Sequence, residues 1–305
     1  MNRLPLNLPL IVVVLTWGFN FVSLKILYSE MEPAAVMFLR YFLMGALLAL
    51  ICRWRKQSLH YPKEDIFRIL LAGFMAMGVY MVFFLEGLRH TSPAEGAILL
   101  ATAPVFTFFF SCALKQERFS WSALVGSLVA FAGVSIVILG GARAGASSSL
   151  MGNLTVLFSA VLWSISVVIM RPLLAKYDPM RVFTLSMPGA FPLLVLYGLN
   201  ASLQTDYAAI STMGWLMFLQ VSLLSGVVAF VCFYEGINKI GPSRAAMYQF
   251  FIPPAAAMFQ WILMGRGLVA IQWFGLVVLL GGVIYASRAR AITAERLAPS
   301  AEGAI

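Results

Sequence analysis

Apolar runs about 20 residues long, separated by short polar connections, succeed one another along the whole chain, and each is long enough to cross the hydrocarbon of a bilayer. They fall at roughly 8–28, 33–52, 66–88, 93–114, 119–140, 151–173, 180–201, 212–236, 242–264 and 268–287. The connections leave no room for a soluble domain. The pattern therefore predicts an all-α polytopic membrane protein with ten transmembrane helices. The first run lacks a small-residue cleavage site and shares its tryptophan with a run far down the chain, so it is expected to be a retained helix rather than a signal peptide.

The polar and turn positions show that the chain contains itself twice. Trp17, Lys25 and Pro33 return as Trp163, Arg171 and Pro179, each 146 residues later. Glu86-Gly87, Pro93, Pro104, Gly126 and Gly133 return as Glu235-Gly236, Pro242, Pro253, Gly275 and Gly282, now 149 residues later. Five spans per copy is an odd number, so the second copy must enter the bilayer from the opposite side, giving two inverted five-helix repeats. The expected boundaries are 1–145 for the first repeat, 146–290 for the second and 291–305 for a disordered cytoplasmic tail.

Composition agrees with the membrane and narrows the function. Hydrophobic residues make up 61% of the chain and charged residues 11%, against about a quarter charged in soluble domains. The formal net charge of +9 would suggest nucleic acid or an anionic surface, but its distribution does not. Placing alternate connections on alternate sides puts sixteen of the 21 basic residues together; the other side receives Lys25, Arg89, Arg143 and Arg266, and Arg40 stays inside the second span. By the positive-inside rule both termini are cytoplasmic, and no nucleic-acid partner is expected.

Helix ends account for several polar residues. Ser92-Pro93-Ala94-Glu95 reads as a capping box with proline at the first helical position, which makes Glu95 a cap rather than a proton carrier. Gly241-Pro242-Ser243-Arg244, Glu32-Pro33 and Asp178-Pro179 read as matching helix starts. Lys25 and Arg171 read as interfacial anchors. Pro104 and the pair Pro253-Pro254 lie deeper, where a ring kinks the helix and frees carbonyls. Interrupted helices at corresponding positions of two inverted halves point to a midplane binding site.

Candidate lining residues follow from helical spacing. Trp17, Asn20, Phe21 and Leu24 share one stripe of the first span, and Trp163 and Ser166 stand at the matching offsets of the sixth. Both tryptophans are too deep for the interfacial belt. The third span offers Met77, Tyr80 and Phe84 on one face, and the ninth offers Tyr248 and Gln249 before its double proline. Core packing is the competing reading of these stripes. Arg40 either caps the carbonyls of a kinked helix or meets a cargo carboxylate.

Catalytic signals are missing. No lysine is followed by Ser or Thr, so a Walker A lysine is absent; the two histidines do not form H-E-x-x-H; and Cys52, Cys112 and Cys232 lack metal-ligand spacing. No enzymatic activity, metal or cofactor is expected.

The paired halves, the early tryptophan in each, the Glu-Gly passages leading to Pro93 and Pro242, and the glycine-rich fifth helices resemble the drug/metabolite transporter superfamily, and within it the EamA-type branch. The aromatic-lined spans are similar to those of YddG-type aromatic amino-acid exporters. The branch usually carries an acid after the fourth and ninth spans; Glu117 fits and Arg266 departs. The resemblance implies helices one to four and six to nine around a central cavity, five and ten at the rim, and export of amino acids and related metabolites across a bacterial inner membrane. The partners it implies are a small-molecule cargo and the lipid bilayer; the oligomeric state is left open, a monomer being one option. A nucleotide-sugar or cationic-drug carrier, and a non-transporting scaffold, are the alternatives.

The charge tally generates a direct test. Cysteines placed in the 141–150 connection should react with an impermeant thiol reagent in intact cells, and cysteines at 54–64 should not. The reverse pattern would overturn the topology.

Overall fold

The computed structural model describes residues 7–116, 119–143, 149–240 and 248–297, and among these every regular element is helical. In chain order they are α1 (Leu8–Leu27), α2 (Pro33–Trp54), α3 (Ile66–Arg89), α4 (Pro93–Ala113), α5 (Trp121–Arg143), α6 (Leu150–Lys176), α7 (Pro179–Gln204), α8 (212–240), α9 (Ile252–Met264) and α10 (Ala270–Leu297). Seven helices, α1 to α4 and α6 to α8, are long and apolar enough to cross a membrane. Shorter apolar stretches, Leu124–Val137, Ile252–Met264 and Ala270–Ala286, lie in α5, α9 and α10. The protein is thus a multi-pass membrane protein. The tail expected from 291 onward is helical as far as Leu297.

The helix starts show why these segments begin where they do. Side chains of Asn7, Ser92, Ser149 and Ser211 accept from N–H groups in the first turns of α1, α4, α6 and α8, and Asp178 does so for both Met180 and Arg181 in α7. Glu32, expected to mark a matching start, makes no capping bond; its carboxylate takes the Arg89 guanidinium at 2.7 and 3.2 Å. Lys25 is no simple interfacial anchor either. Its Nζ donates to the carbonyls of Leu88, Arg89 and Thr91, satisfying the C-terminus of α3. The expected start at Gly241 to Arg244 and the acid Glu117 lie outside the described residues.

Packing follows a pattern that exchanges the halves. Helix α1 packs on α8 and α9, while α6 packs on α3 and α4; α2 pairs with α7, and α5 with α10. Lipid gives apolar helices no reason to cluster, so close backbone approach through small residues must supply the attraction. The α5–α10 pair shows this best. A Cβ on Gly133 would lie 2.4 Å from the Leu279 N and 2.7 Å from the Gly275 O, and one on Gly282 would lie 2.5 Å from the Ala130 N and 2.6 Å from the Gly126 O. The four glycines that repeat in sequence therefore face each other across one crossing.

At one end, Asp65 sits before α3 and accepts from Lys176 at 3.0 Å and Tyr177 at 2.9 Å, tying this end to α6. The Lys176 hydrogen bond holds the Asp65 carboxyl below the usual aspartate range. At the other end Glu30 binds the N–H and hydroxyl of Ser211, which likewise lowers its carboxyl.

Adjacent glycines test the crossing. Gly282→Ala should lower the thermal stability of the purified protein by about 1–3 kcal/mol through overpacking, whereas Gly281→Ala, with nothing within 4 Å of its Cβ, should be neutral or stabilising. Equal effects would mean that the contact at Gly282 carries no special weight.

Candidate functional site

Departures from α geometry sit at matched places along the chain. Helix α3 widens to a π-helix over Phe74–Val79 and α8 does so over Gln220–Val228. Helix α4 breaks at a turn over 101–102, and a turn over 250–251 precedes α9. Pro104 and Pro253 therefore stand in the first turn of a half-helix, where a missing N–H leaves no intrahelical bond unmade, rather than at a smooth kink. Pro254 follows in the same turn.

Among these helices lies a cavity of about 120 Å³. From α1 it receives Trp17, Asn20 and Phe21, from α2 Arg40, and from α3 Met77, Tyr80, Met81 and Phe84. Helix α4 contributes Ala97, Leu100, Ala101 and Ala103, and α6 contributes Trp163. Phe230 of α8 and Gln249, Phe250, Ile252 and Pro253 around the start of α9 complete it.

Aromatic contacts organise the walls. Trp17 meets Phe230 at 5.3 Å and Phe233 at 5.4 Å, while Tyr80 meets Trp163 at 5.1 Å and stacks on Phe84 at 5.6 Å. Trp17 is also pinned by its N–H. In the π-helix of α8 the Ala229 N–H reaches back five residues to the Leu224 O, so the Ser225 O loses its ordinary α-helical donor. The Trp17 indole takes that place at 3.0 Å. Ser225 Oγ and Gln220 Nε2 fasten the neighbouring Thr16 carbonyl to the same stretch, at 2.9 and 3.2 Å.

The only charged group among the described lining residues is Arg40. It is 5% exposed, and its Nε and Nη1 have no hydrogen-bond partner. Asn20 is 7% exposed, and its Oδ1 is also unpartnered. A hydrophobic, ring-lined space holding one guanidinium and the side-chain amides of Asn20 and Gln249 can take a small amphiphile with a polar head.

Of the residues marked by the sequence, Trp17, Asn20, Met77, Tyr80, Phe84, Trp163, Gln249 and Pro253 line this cavity together. Ser166 and Tyr248 do not: the Ser166 hydroxyl donates to the Trp163 carbonyl at 2.6 Å, and Tyr248 packs with Leu10, Val13, Val14, Ala229 and Ala255. Glu95 has its N–H capped by Ser92, but its side chain is buried in another direction, accepting from Gln272 at 2.5 Å and Thr91 at 3.4 Å. Phe230, Phe250 and Ile252 carry no sequence signal of their own. Arg40 does, as a lone charge in an apolar run.

Broken and widened helices around a shared cavity are the arrangement expected of a polytopic membrane transporter. The chain belongs to the EamA-like transporter family, whose description it matches twice, over residues 6–139 and 150–288. It is similar to an uncharacterized transporter of Archaeoglobus fulgidus, at 25% identity over 92% of this chain and 99% of that protein. A protein of Streptantibioticus cattleyicolor named "Probable terminal-alkyne amino-acid exporter" is 23% identical over 92% of each chain. A solved crystal structure superposes with a TM-score of 0.63 at 20% identity, covering 96% of this chain and 98% of its own, which is a likeness of fold.

The tethered indole yields a comparison. Trp17→Phe should cost about 1 kcal/mol of thermal stability by leaving the Ser225 carbonyl short of a donor, and Trp163→Phe should cost less. Equal losses would show that the Trp17 hydrogen bond does not distinguish the two rings.

Proposed function

We propose that this protein is a bacterial inner-membrane secondary transporter that exports neutral amino acids, chiefly aromatic ones, and related small metabolites by alternating access. The observation that carries the reading is the cavity itself, walled by Trp17, Tyr80, Phe84, Trp163 and Phe230 and supplied with only a few polar heads. Rings of this kind fit a flat apolar side chain. The similarity to a relative named as an amino-acid exporter supports the cargo class. A nucleotide sugar would need several inward basic groups, and a cationic drug an inward acid; among the described lining residues there is one arginine and no acid.

Two inverted halves, 1–145 and 146–290, underlie the proposed mechanism. The double family match and the exchangeable packing pattern support them. Alternating access is supported by a difference between equivalent groups. Trp17 holds the carbonyl freed in α8, at Ser225. In α3 the Tyr80 N–H likewise reaches back to the Met75 O, releasing the Ala76 O, which stands 149 residues before Ser225. Trp163, the counterpart of Trp17, is not bonded to it and lies against Tyr80 instead. One of the two equivalent carbonyls is held by its tryptophan and the other is not, a difference that supports halves exchanging conformations.

Transport is proposed to run down the cargo's own gradient with no obligatory ion. His60 and His90 are exposed, Glu86 accepts from Tyr197, and Glu235 pairs at 3.4 Å with Arg55 in water-accessible surroundings. None of these acids or histidines lines the cavity.

Purified protein in liposomes, offered aromatic, aliphatic and charged amino acids and a nucleotide sugar, should move aromatic amino acids best. Trp163→Ala should reduce that flux while the protein still folds, since it removes a stacking surface worth about 1 kcal/mol. Preference for the nucleotide sugar, or normal flux in the variant, would sink the cargo assignment.

Collapsing proton and sodium gradients in the same liposomes should leave substrate-driven flux intact. Concentrative uptake driven by an imposed proton gradient and abolished by Glu86→Gln, Glu95→Gln or Glu235→Gln would establish coupling instead.

A further inference from the structure

A guanidinium at membrane depth normally has an acid, a set of carbonyls or a route to the interface. Arg40 stands seven residues into α2 and is 5% exposed, so it does not reach water by extending along the helix. Its Nε and Nη1 find no acceptor among the described residues. Among the described residues the phenols of Tyr28 and Tyr80 act on it electrostatically, and neither offers a carboxylate. The Tyr28 hydroxyl is itself buried without a partner. Glu86, in the next helix, accepts from the Tyr197 hydroxyl and makes no ion pair with Arg40. The carbonyl-capping role open to Arg40 from sequence is therefore not the one the structure displays.

A buried, uncompensated charge costs several kcal/mol, so something that visits the cavity must repay it. The geometry points to Arg40 as the carboxylate anchor of the cavity, making the cargo a monocarboxylate with an aromatic or bulky apolar tail. The guanidinium fork matches a carboxylate with two charge-assisted hydrogen bonds. Beyond it the walls are rings and thioethers: Trp17, Trp163, Tyr80, Phe84 and Met77. The Asn20 Oδ1, buried and free in the same cavity, is a neutral acceptor suited to an ammonium. No acid lines the cavity among the described residues, so the ammonium contributes less than the carboxylate, and removing it should be tolerated better. This deepens the amino-acid reading above and rests on it for the ammonium, but not for the carboxylate.

The test uses full-length purified protein in detergent and three ligands sharing one ring: L-phenylalanine, 3-phenylpropionate, which lacks the ammonium, and L-phenylalaninamide, which lacks the carboxylate. Binding is read by calorimetry in the wild type, Arg40→Met and Arg40→Lys. Both carboxylates should bind the wild type at least about tenfold more tightly than the amide, the scale expected for a charge-assisted pair. Arg40→Met should bring both down to the level of the amide without changing the amide, and Arg40→Lys should recover part of the difference. Undiminished carboxylate binding in Arg40→Met, or an amide equal to phenylalanine in the wild type, overturns the assignment. If Arg40→Met does not fold, the wild-type ligand series and Arg40→Lys decide it. Binding of 3-phenylpropionate through Arg40 without binding of phenylalanine would leave the anchor standing and remove the amino-acid function; binding of none of the three would remove both.

Discussion

Hydrocarbon offers no hydrogen bonds, so every backbone group at membrane depth must be satisfied by the protein itself. This constraint makes the described elements helical, and it also makes each exception informative. Where α8 widens, the carbonyl of Ser225 is met by the Trp17 indole. Where α7 tightens to a 3-10 turn over Met187–Ala190, the Phe191 N–H bonds to Pro188, and the Met187 carbonyl is taken by the Tyr41 hydroxyl. An aromatic side chain with a polar tip suits this task, because its ring stays in apolar surroundings while its single donor reaches the backbone. The exceptions near the cavity thus supply both its space and part of its wall: Met77 comes from a π-helix, while Ala101 and Phe250 come from turns.

Much of this was legible in the sequence because it depends on period and position. Apolar run length located the helices, and Pro104 and Pro253 marked breaks because a proline ring affects the backbone wherever it falls. What the sequence could not show was how groups meet across helices. Neither π-helix has a residue signature, since widening by one residue depends on what the neighbouring helix offers. Lys25 looked like an anchor because its last-turn position is the same whether it points to headgroups or to the end of α3. Ser166 was placed by offset from Asn20, yet its hydroxyl turns back to its own helix. An equal register does not ensure an equal environment when the two halves are packed differently.

That failure separates two kinds of repeated position. Residues shared by both halves include Gly126 and Gly275, Gly133 and Gly282, Pro104 and Pro253, and Trp17 and Trp163. The glycines permit the α5–α10 approach and the prolines start the half-helices, so these are requirements of the architecture and apply equally to each copy. Positions that differ include Asn20 against Ser166, Arg40 against Ser186, Tyr80 against Ala229, and Leu100 against Gln249. Asn20, Arg40, Tyr80, Leu100 and Gln249 all line the cavity, whereas Ser166, Ser186 and Ala229 do not.

A two-fold arrangement of helices can form a cavity, but a two-fold arrangement of side chains would present the same chemistry to both ends of whatever enters. A solute with an acidic head and an apolar tail has no such symmetry. Charge and hydrogen-bonding capacity must then be concentrated on one side, while the backbone that frames them stays paired. Arg40 faces no second arginine because its counterpart is Ser186, whose hydroxyl is occupied by the Phe183 carbonyl at 2.8 Å. Repetition thus builds the frame, and the loss of repetition at a few lining positions gives the cavity a direction in which a cargo can be oriented.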